Sequence, residues 1–414
     1  MSPLGGGFSI HRLRTAAGLT ALAGAIAANA LAGTALTSTA HAQGTDPPSA
    51  EEMGVESWAL VDPQSGRYLE GEGLDERKAP AATASVMTAL VALEETDDLG
   101  SEVAVPEEAE EFVGFTYSNV GLIAGERLSV RELLQATLIS SGTDATYTLA
   151  EHLGSGDTQN FVDMMNDRAS EMGLQNTRFT NPAGLDEEGN YSTAGDLAAI
   201  ATEAMKDPRF AGIVDTGETT ISTESPVQNR EIDLYNTNEL LFAYPAVNGV
   251  KTGGSPRAGS SVIASAERGG KSYVAVVMGG GSAGEASGAA WSVLQHGFNA
   301  YEERRIVREG ESLAELPLPY RSTEKVTLVA ENEIEALAAP GSQVERRVST
   351  QSAPEGASAG EELGSVEVFV EGDKVGESPL VTGGDYMRPS VWDKARLAAL
   401  WPFEKLWSSL REHL

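Results

Sequence analysis

Residues 260–266 and 272–278 are two apolar runs separated by Glu267-Arg268-Gly269-Gly270-Lys271. Two such runs around a Gly-containing loop read as a β-hairpin. This apolar hairpin constrains the chain most, because it needs a sheet to join. A second set of strand signals stands near the other end of the same region. Trp58-Ala59-Leu60-Val61 reads as a strand, Asp62-Pro63-Gln64-Ser65-Gly66 as a turn, and the chain returns as a further strand. Between the two sets the pattern is helical. Residues 85–95 place Val86, Leu90 and Leu93 on one side. Residues 130–153 give helical segments interrupted near Ser141-Gly142. Residues 161–172 form another helix, with Gly173 as its C-terminal stop. A last helix is expected over 289–305. Strands at both ends of a helical middle predict an α+β layout, one sheet covered by helices, over residues 54–305.

The character changes after Arg305. Residues 326–330, 344–349 and 366–370 are short β runs with turn-rich spacers, and 353–364 reads as a loop. A small all-β domain is therefore expected over 306–384. At 414 residues the chain has room for two or three domains.

The two ends read differently again. His11, Arg12 and Arg14 precede a small, apolar stretch from residue 16 to 36, and Ala40-His41-Ala42 forms an A-x-A cleavage pattern before Gln43. Residues 1–42 are thus expected to be an export signal, with a linker over 43–53. At the other end, residues 385–414 are expected to hold an amphipathic helix. Val391, Trp392, Ala395, Ala399, Phe403, Leu406 and Leu410 share one face of a helical wheel. With no long apolar run it cannot span a bilayer, but residues 390–414 suit a peripheral position at a membrane surface. The chain as a whole is strongly acidic, with a formal net charge of −32. Such a surface repels nucleic acid and is otherwise a solvated acidic face. Cysteine is absent, so disulfides and thiolate chemistry are excluded.

Three motifs carry a resemblance to a known family. Lys251-Thr252-Gly253 follows Val247-Asn248-Gly249-Val250 and precedes the apolar hairpin. Ser141-Gly142-Thr143-Asp144-Ala145 follows Leu133-Leu134 and precedes Leu149-Ala150-Glu151-His152. Pro80-Ala81-Ala82-Thr83-Ala84-Ser85-Val86-Met87-Thr88 opens the first helix. Further signatures are Phe179-Thr180-Asn181-Pro182-Ala183-Gly184-Leu185, Tyr191-Ser192-Thr193-Ala194-Gly195-Asp196-Leu197 and Tyr235-Asn236-Thr237-Asn238-Glu239-Leu240-Leu241. In order and spacing this resembles the low-molecular-mass penicillin-binding proteins, the serine D-alanyl-D-alanine carboxypeptidases, from about Trp58 to Tyr301. Their motif set is S-x-x-K, S-D-N and K-T-G.

The resemblance implies a penicillin-binding-protein or β-lactamase-like fold, a role in peptidoglycan metabolism outside the cytoplasmic membrane, and stem peptides ending in D-Ala-D-Ala as partners. It implies no cofactor and no metal. In the family the Ser attacks the amide, the Lys three residues later takes its proton, and the second-motif Ser relays a proton to the leaving amine. The K-T-G strand pairs with the peptide, and backbone N–H groups stabilise the oxyanion. Carried over, the nucleophile position is Ala82 and the base position is Ser85. The second motif keeps Ser141 but has Thr143 for Asn. Lys251, Thr252, Gly253 and the adjoining Gly254 remain as the carboxylate and strand-pairing site.

Ala82 has no nucleophilic atom, and Ser85 cannot act as an amine base. The sequence supports three readings. One is a protein that binds D-Ala-D-Ala stem peptides without acyl transfer. Another is an active carboxypeptidase with a site rewired around Ser85 or Ser141. The third is a structural envelope module with a vestigial groove. Ser141 also stands where a helix N-cap could be. A second S-x-x-K, Ser322-Thr323-Glu324-Lys325, lies beside an expected strand and reads as chance. His152 and His296 sit on helix patterns and do not suggest a zinc site.

Overall fold

The computed structural model of the chain describes residues 47–396, apart from 226 and 320–323. The expected export signal, Ser322 and Thr323 of the second S-x-x-K, and residues 397–414 of the terminal helix lie outside the described residues.

The apolar hairpin forms the centre of a five-stranded antiparallel sheet. Its strands are β1 (Ser57–Asp62), β2 (Arg67–Glu72), β3 (Val247–Ser255), β4 (Gly259–Arg268) and β5 (Lys271–Gly280), in the order β2-β1-β5-β4-β3. Ala59 stands opposite Val276 and Ile263 opposite Val276, so the first strand and the late hairpin share one ladder. The sheet is buried on both faces. Ala59, Val61, Val274 and Val276 pack into a large helical cluster, while Trp58, Leu60, Ala275 and Val277 pack with Val293 and Leu294 of the last helix. Successive side chains point to opposite faces, and with both faces covered a strand has no need of polar alternation. That explains the unbroken apolar runs.

The longer helices of this region are α1 (Ser85–Glu95), α2 (Val130–Ile139), α3 (Thr143–Leu153), α4 (Thr158–Glu171), α5 (Ala194–Ala204) and α6 (Ala283–Ala300). Helix α1 is buried on every side from Ser85 to Leu93, not only along Val86, Leu90 and Leu93. A helix apolar all round belongs in the middle of a core. The break between α2 and α3 falls at Ser140–Gly142, as the sequence predicts. A capping box between Ser129 and Glu132 starts α2.

Three expectations need correction. The helix expected over 289–305 runs from Ala283 to Ala300, started by Ser282 accepting the Glu285 N–H. Beyond it Glu302–Val307 is a strand, β6, because its backbone pairs with Ile334–Ala338. A distant partner of this kind overrides local periodicity. The linker expected through Met53 contains a helical turn, Ala50–Met53, closed by a capping box between Ser49 and Glu52. Ser141 does not cap α3; the cap position is Gly142, without a side-chain bond.

The strands beyond β6 are β7 (Ser312–Pro317), β8 (Lys325–Ala330), β9 (Ile334–Ala338), β10 (Val344–Thr350), β11 (Glu362–Val370) and β12 (Asp373–Thr382). They form a sheet ordered β7-β8-β12-β11-β10, with β9 paired to β6. Val326, Leu328, Val366, Val368 and Leu380 fill its own core. Residues 391–396 are helical, with Val391 and Trp392 largely exposed. Among the described residues, no helix is long and apolar enough to cross a membrane.

Candidate active site

The segment before α1 is a 3-10 turn, Ala81–Ala84. Ala81 has φ 47°, a left-handed conformation that a residue with a Cβ rarely adopts. Gly184 makes this possible. A Cβ at Gly184 would stand 1.7 Å from the Ala81 carbonyl oxygen. The loop around Gly184 is fixed in turn. Asn181 accepts the Leu185 N–H at 2.8 Å, and Thr88 of α1 donates to the Pro182 carbonyl at 2.6 Å.

Strand β3 is the edge strand of the sheet, and its Gly253 lies against this turn. A Cβ there would sit 2.8 Å from the Ala82 nitrogen and 2.9 Å from the Thr83 nitrogen. The glycine lets the strand approach the backbone at the start of α1. Ser85 is 3% exposed, and its hydroxyl donates to the Ala82 carbonyl at 2.7 Å. Thr83 donates to the Pro80 carbonyl. Both hydroxyls near Ala82 are thus engaged with the turn's own backbone.

Ser141, at φ 55°, stands on the α2–α3 connection. Its Oγ accepts a hydrogen bond from the Lys251 ammonium, which also donates to the Thr252 carbonyl at 3.0 Å. Lys251 is 1% exposed, and burial lowers its pKa from the usual 10.5 to about 7. The cause is desolvation, which disfavours the charged form. Thr143 is buried at the start of α3, with its N–H on the Ser118 carbonyl. Thr252 donates through its hydroxyl to Thr237 at 2.8 Å. Gly254 continues β3 opposite Ser260.

The structure therefore joins Ser141 to Lys251, Thr252 to Thr237, Gly253 to the Ala82 backbone and Ser85 to the Ala82 carbonyl. The D-alanyl-D-alanine carboxypeptidase family profile matches residues 41–282, more than half of the chain. The chain belongs to the D-alanyl-D-alanine carboxypeptidase family. The C-terminal domain of penicillin-binding protein 5 matches residues 301–388. The D-alanyl-D-alanine carboxypeptidase DacF of Bacillus subtilis is 32% identical over 80% of this chain and 85% of its own length. Penicillin binding protein 5 from Haemophilus influenzae is similar in structure, with a TM-score of 0.66 and 28% identity over 83% of this chain and 99% of that one. The Streptomyces K15 DD-transpeptidase superposes with a TM-score of 0.59 at 30% identity, covering 61% of this chain and 99% of the other.

Within this carboxypeptidase fold, the supporting residues Asp144, Thr237 and Asn238 carried no assigned role in the sequence. Asp144 is fully buried and accepts the Leu122 N–H at 2.9 Å and the Val120 N–H at 3.1 Å, which ties the 118–122 loop to α3. Thr237 holds Thr252. Its neighbour Asn238 donates to the Gly249 carbonyl at 2.9 Å and fixes the start of β3. The only signal for either was its place inside a family signature. His152 lies on α3 and His296 on α6, the latter 2.9 Å from Glu70.

Proposed function

We propose that the protein binds the D-Ala-D-Ala end of peptidoglycan stem peptides without forming an acyl-enzyme. The observation that carries this reading is Ala82, a methyl group beside Gly253 at the position where the family has its nucleophile. Serine acyl transfer needs an oxygen to attack and a base to take its proton. Ser85 supplies no amine, and its hydroxyl is engaged with the Ala82 carbonyl. The groups that hold a peptide are still present. The edge of β3 can pair with an extended peptide, Lys251 and Thr252 can take its carboxylate, and the Ala82 nitrogen lies close to Gly253 of the strand. The protein would act as a scaffold or regulator outside the cytoplasmic membrane, exported by residues 1–42 and touching the membrane through 390–414. The exposed Val391 and Trp392 support that contact.

Labelled penicillin and calorimetry with a D-Ala-D-Ala peptide test the reading together. Peptide binding weakened by Lys251→Ala, with no covalent penicillin adduct, is the expected result. A stable adduct sinks the loss of acylation. Absence of peptide binding favours a vestigial groove in a structural module.

One contact favours a second reading, a rewired hydrolase. Lys251 with a pKa near 7 touches the Ser141 hydroxyl, a pairing that can activate a serine. Ser141 Oγ would attack the peptide carbonyl while its proton passes to the neutral Lys251 amine. The same proton would go to the leaving D-alanine nitrogen as the C–N bond breaks, and water would then hydrolyse the ester. D-alanine release abolished by Ser141→Ala supports this reading. An inactive parent protein removes it.

A further inference from the structure

The sheet of the β domain ends on one side in β10, and among the described residues that strand has no partner beyond it. All its residues, Val344–Thr350, are exposed. On its other side it pairs with β11 in an unbroken antiparallel register, with Val344 opposite Val370, Arg346 opposite Val368 and Val348 opposite Val366. Those three β11 valines are fully buried, so Val344, Arg346 and Val348 lie on the core face of the sheet. Yet Val344 is 40% and Val348 42% exposed. The core face is therefore open at this edge.

The register also fixes which backbone groups face outward. Just before the strand, the Gln343 carbonyl accepts the Glu371 N–H at 2.9 Å. Just after it, the Gln351 N–H donates to the Leu363 carbonyl at 2.8 Å. In an antiparallel ladder, alternate residues bond the neighbouring strand. The odd-numbered residues of β10 thus bond β11, and the N–H and C=O groups of Val344, Arg346 and Val348 point away from it. Such an edge is a template for another strand. Charges on an edge usually keep copies apart, but their order matters. Glu345 and Arg347 stand on the outer face, 2.7 Å apart, with the Arg347 guanidinium 3.9 Å from the centre of the Phe369 ring. Arg346, on the core face, is held by Glu311 at 2.7 Å and by the Ile306 carbonyl.

Val344-Glu345-Arg346-Arg347-Val348 is nearly its own complement when read in the opposite direction. A twofold axis at Arg346 sets Val344 against Val348 and Glu345 against Arg347, each of them twice. The same axis makes 344/348 and 346/346 the hydrogen-bonded pairs, and these are the residues whose backbone groups face outward. Glu345 and Arg347 fall in the pairs without hydrogen bonds, where side chains come closest. A shift of one residue loses both matches: Glu345 would face Arg346 or Val348, and outward-facing groups would meet inward-facing ones. The two Arg346 side chains meet at the axis, each already paired with its own Glu311. We propose that β10 is a self-association edge, through which two copies of the chain pair antiparallel about Arg346 and join their sheets into one. Such a contact uses the same patch on both copies and closes on itself.

Sedimentation equilibrium of the full chain at concentrations up to about 1 mM tests the proposal. The expected mass is that of two chains at the high end, falling to one chain on dilution. Val348→Pro takes away an outward-facing N–H and leaves the β10–β11 bonds in place, so it should weaken the dimer at least about tenfold. The charges test the register. Glu345→Arg and Arg347→Glu should each be monomeric alone, because like charges then face each other across the axis. An equimolar mixture of these two variants should form the mixed dimer, since positions 345 and 347 then carry only arginine in one copy and only glutamate in the other. The charge variants decide the matter whether or not Val348→Pro folds. A parent chain that stays monomeric throughout overturns the proposal. So does a dimer that neither charge variant weakens, or a mixture of the two folded variants that stays monomeric.

Discussion

The two walls of the groove differ in what they keep. On the wall made by the 81–85 turn, the backbone is held by close contacts, Gly184 under Ala81 and Gly253 against Ala82, while Ala82 and Ser85 stand at the positions we propose for the family's acylating pair. On the wall made by Ser141 and Lys251, the side chains are present and touch. The comparison teaches that a groove's shape and its chemistry have separate origins. The turn is held by glycine clearances and buried hydrogen bonds, none of which requires a nucleophile. Binding can therefore persist where acylation has nothing to start from.

The largest effect expected follows from restoring the first wall. Ala82→Ser with Ser85→Lys should convert a protein with no penicillin adduct into one that acylates, a gain of at least about a thousandfold in labelling rate. Continued silence of a folded double variant would mean that the walls differ in geometry as well as in side chains. Next, Gly184→Ala should destabilise the fold by about 3 kcal/mol or more, read as a fall in thermal midpoint. Its Cβ meets the Ala81 carbonyl, and the residue holds φ +76°. A small effect there would show that the turn is not locked as described.

The second wall is sharpened by pH. A carboxylate clamp needs Lys251 charged, so peptide affinity should be greatest below about pH 7 and fall by up to about tenfold per unit above it. A Ser141–Lys251 hydrolase needs the neutral amine, so its rate should rise through the same range. The same group affects folding with the opposite sign to a salt bridge. Its pKa is lower in the folded protein than in the unfolded chain, so stability rises with pH between about 7 and 10.5. Below 7 the penalty is complete. Lys251→Met should remove that dependence, as denaturant titrations at several pH values would show. The smallest effect belongs to Thr237→Val, which takes away the hydroxyl that accepts from Thr252. Peptide affinity should fall about two- to tenfold, and no change would place Thr252 outside the clamp.

Much of this was legible in the sequence. The hairpin, the first strand, the break at Ser141-Gly142 and the stop at Gly173 each have a local cause, so they could be read from residue order. The resemblance of the motifs to the family implies that Ala82, Ser141 and Lys251 share a site; the structure joins Ser141 to Lys251 and sets Gly253 against the Ala82 backbone. The end of α6 could not be read, because Glu302–Val307 pairs with a strand about thirty residues further along. Nor could the full burial of α1, which depends on the other helices packed around it.

The sequence by itself determined which side chains are available at the aligned positions: a methyl at Ala82 and a hydroxyl at Ser85, and no packing can change those atoms. Only the tertiary structure decided the state of the groups that remain. Burial of Lys251 against Ser141 and the clearances at Gly184 and Gly253 all arise from segments distant in the chain. Desolvation and close approach are properties of three-dimensional neighbours, and residue order does not name them.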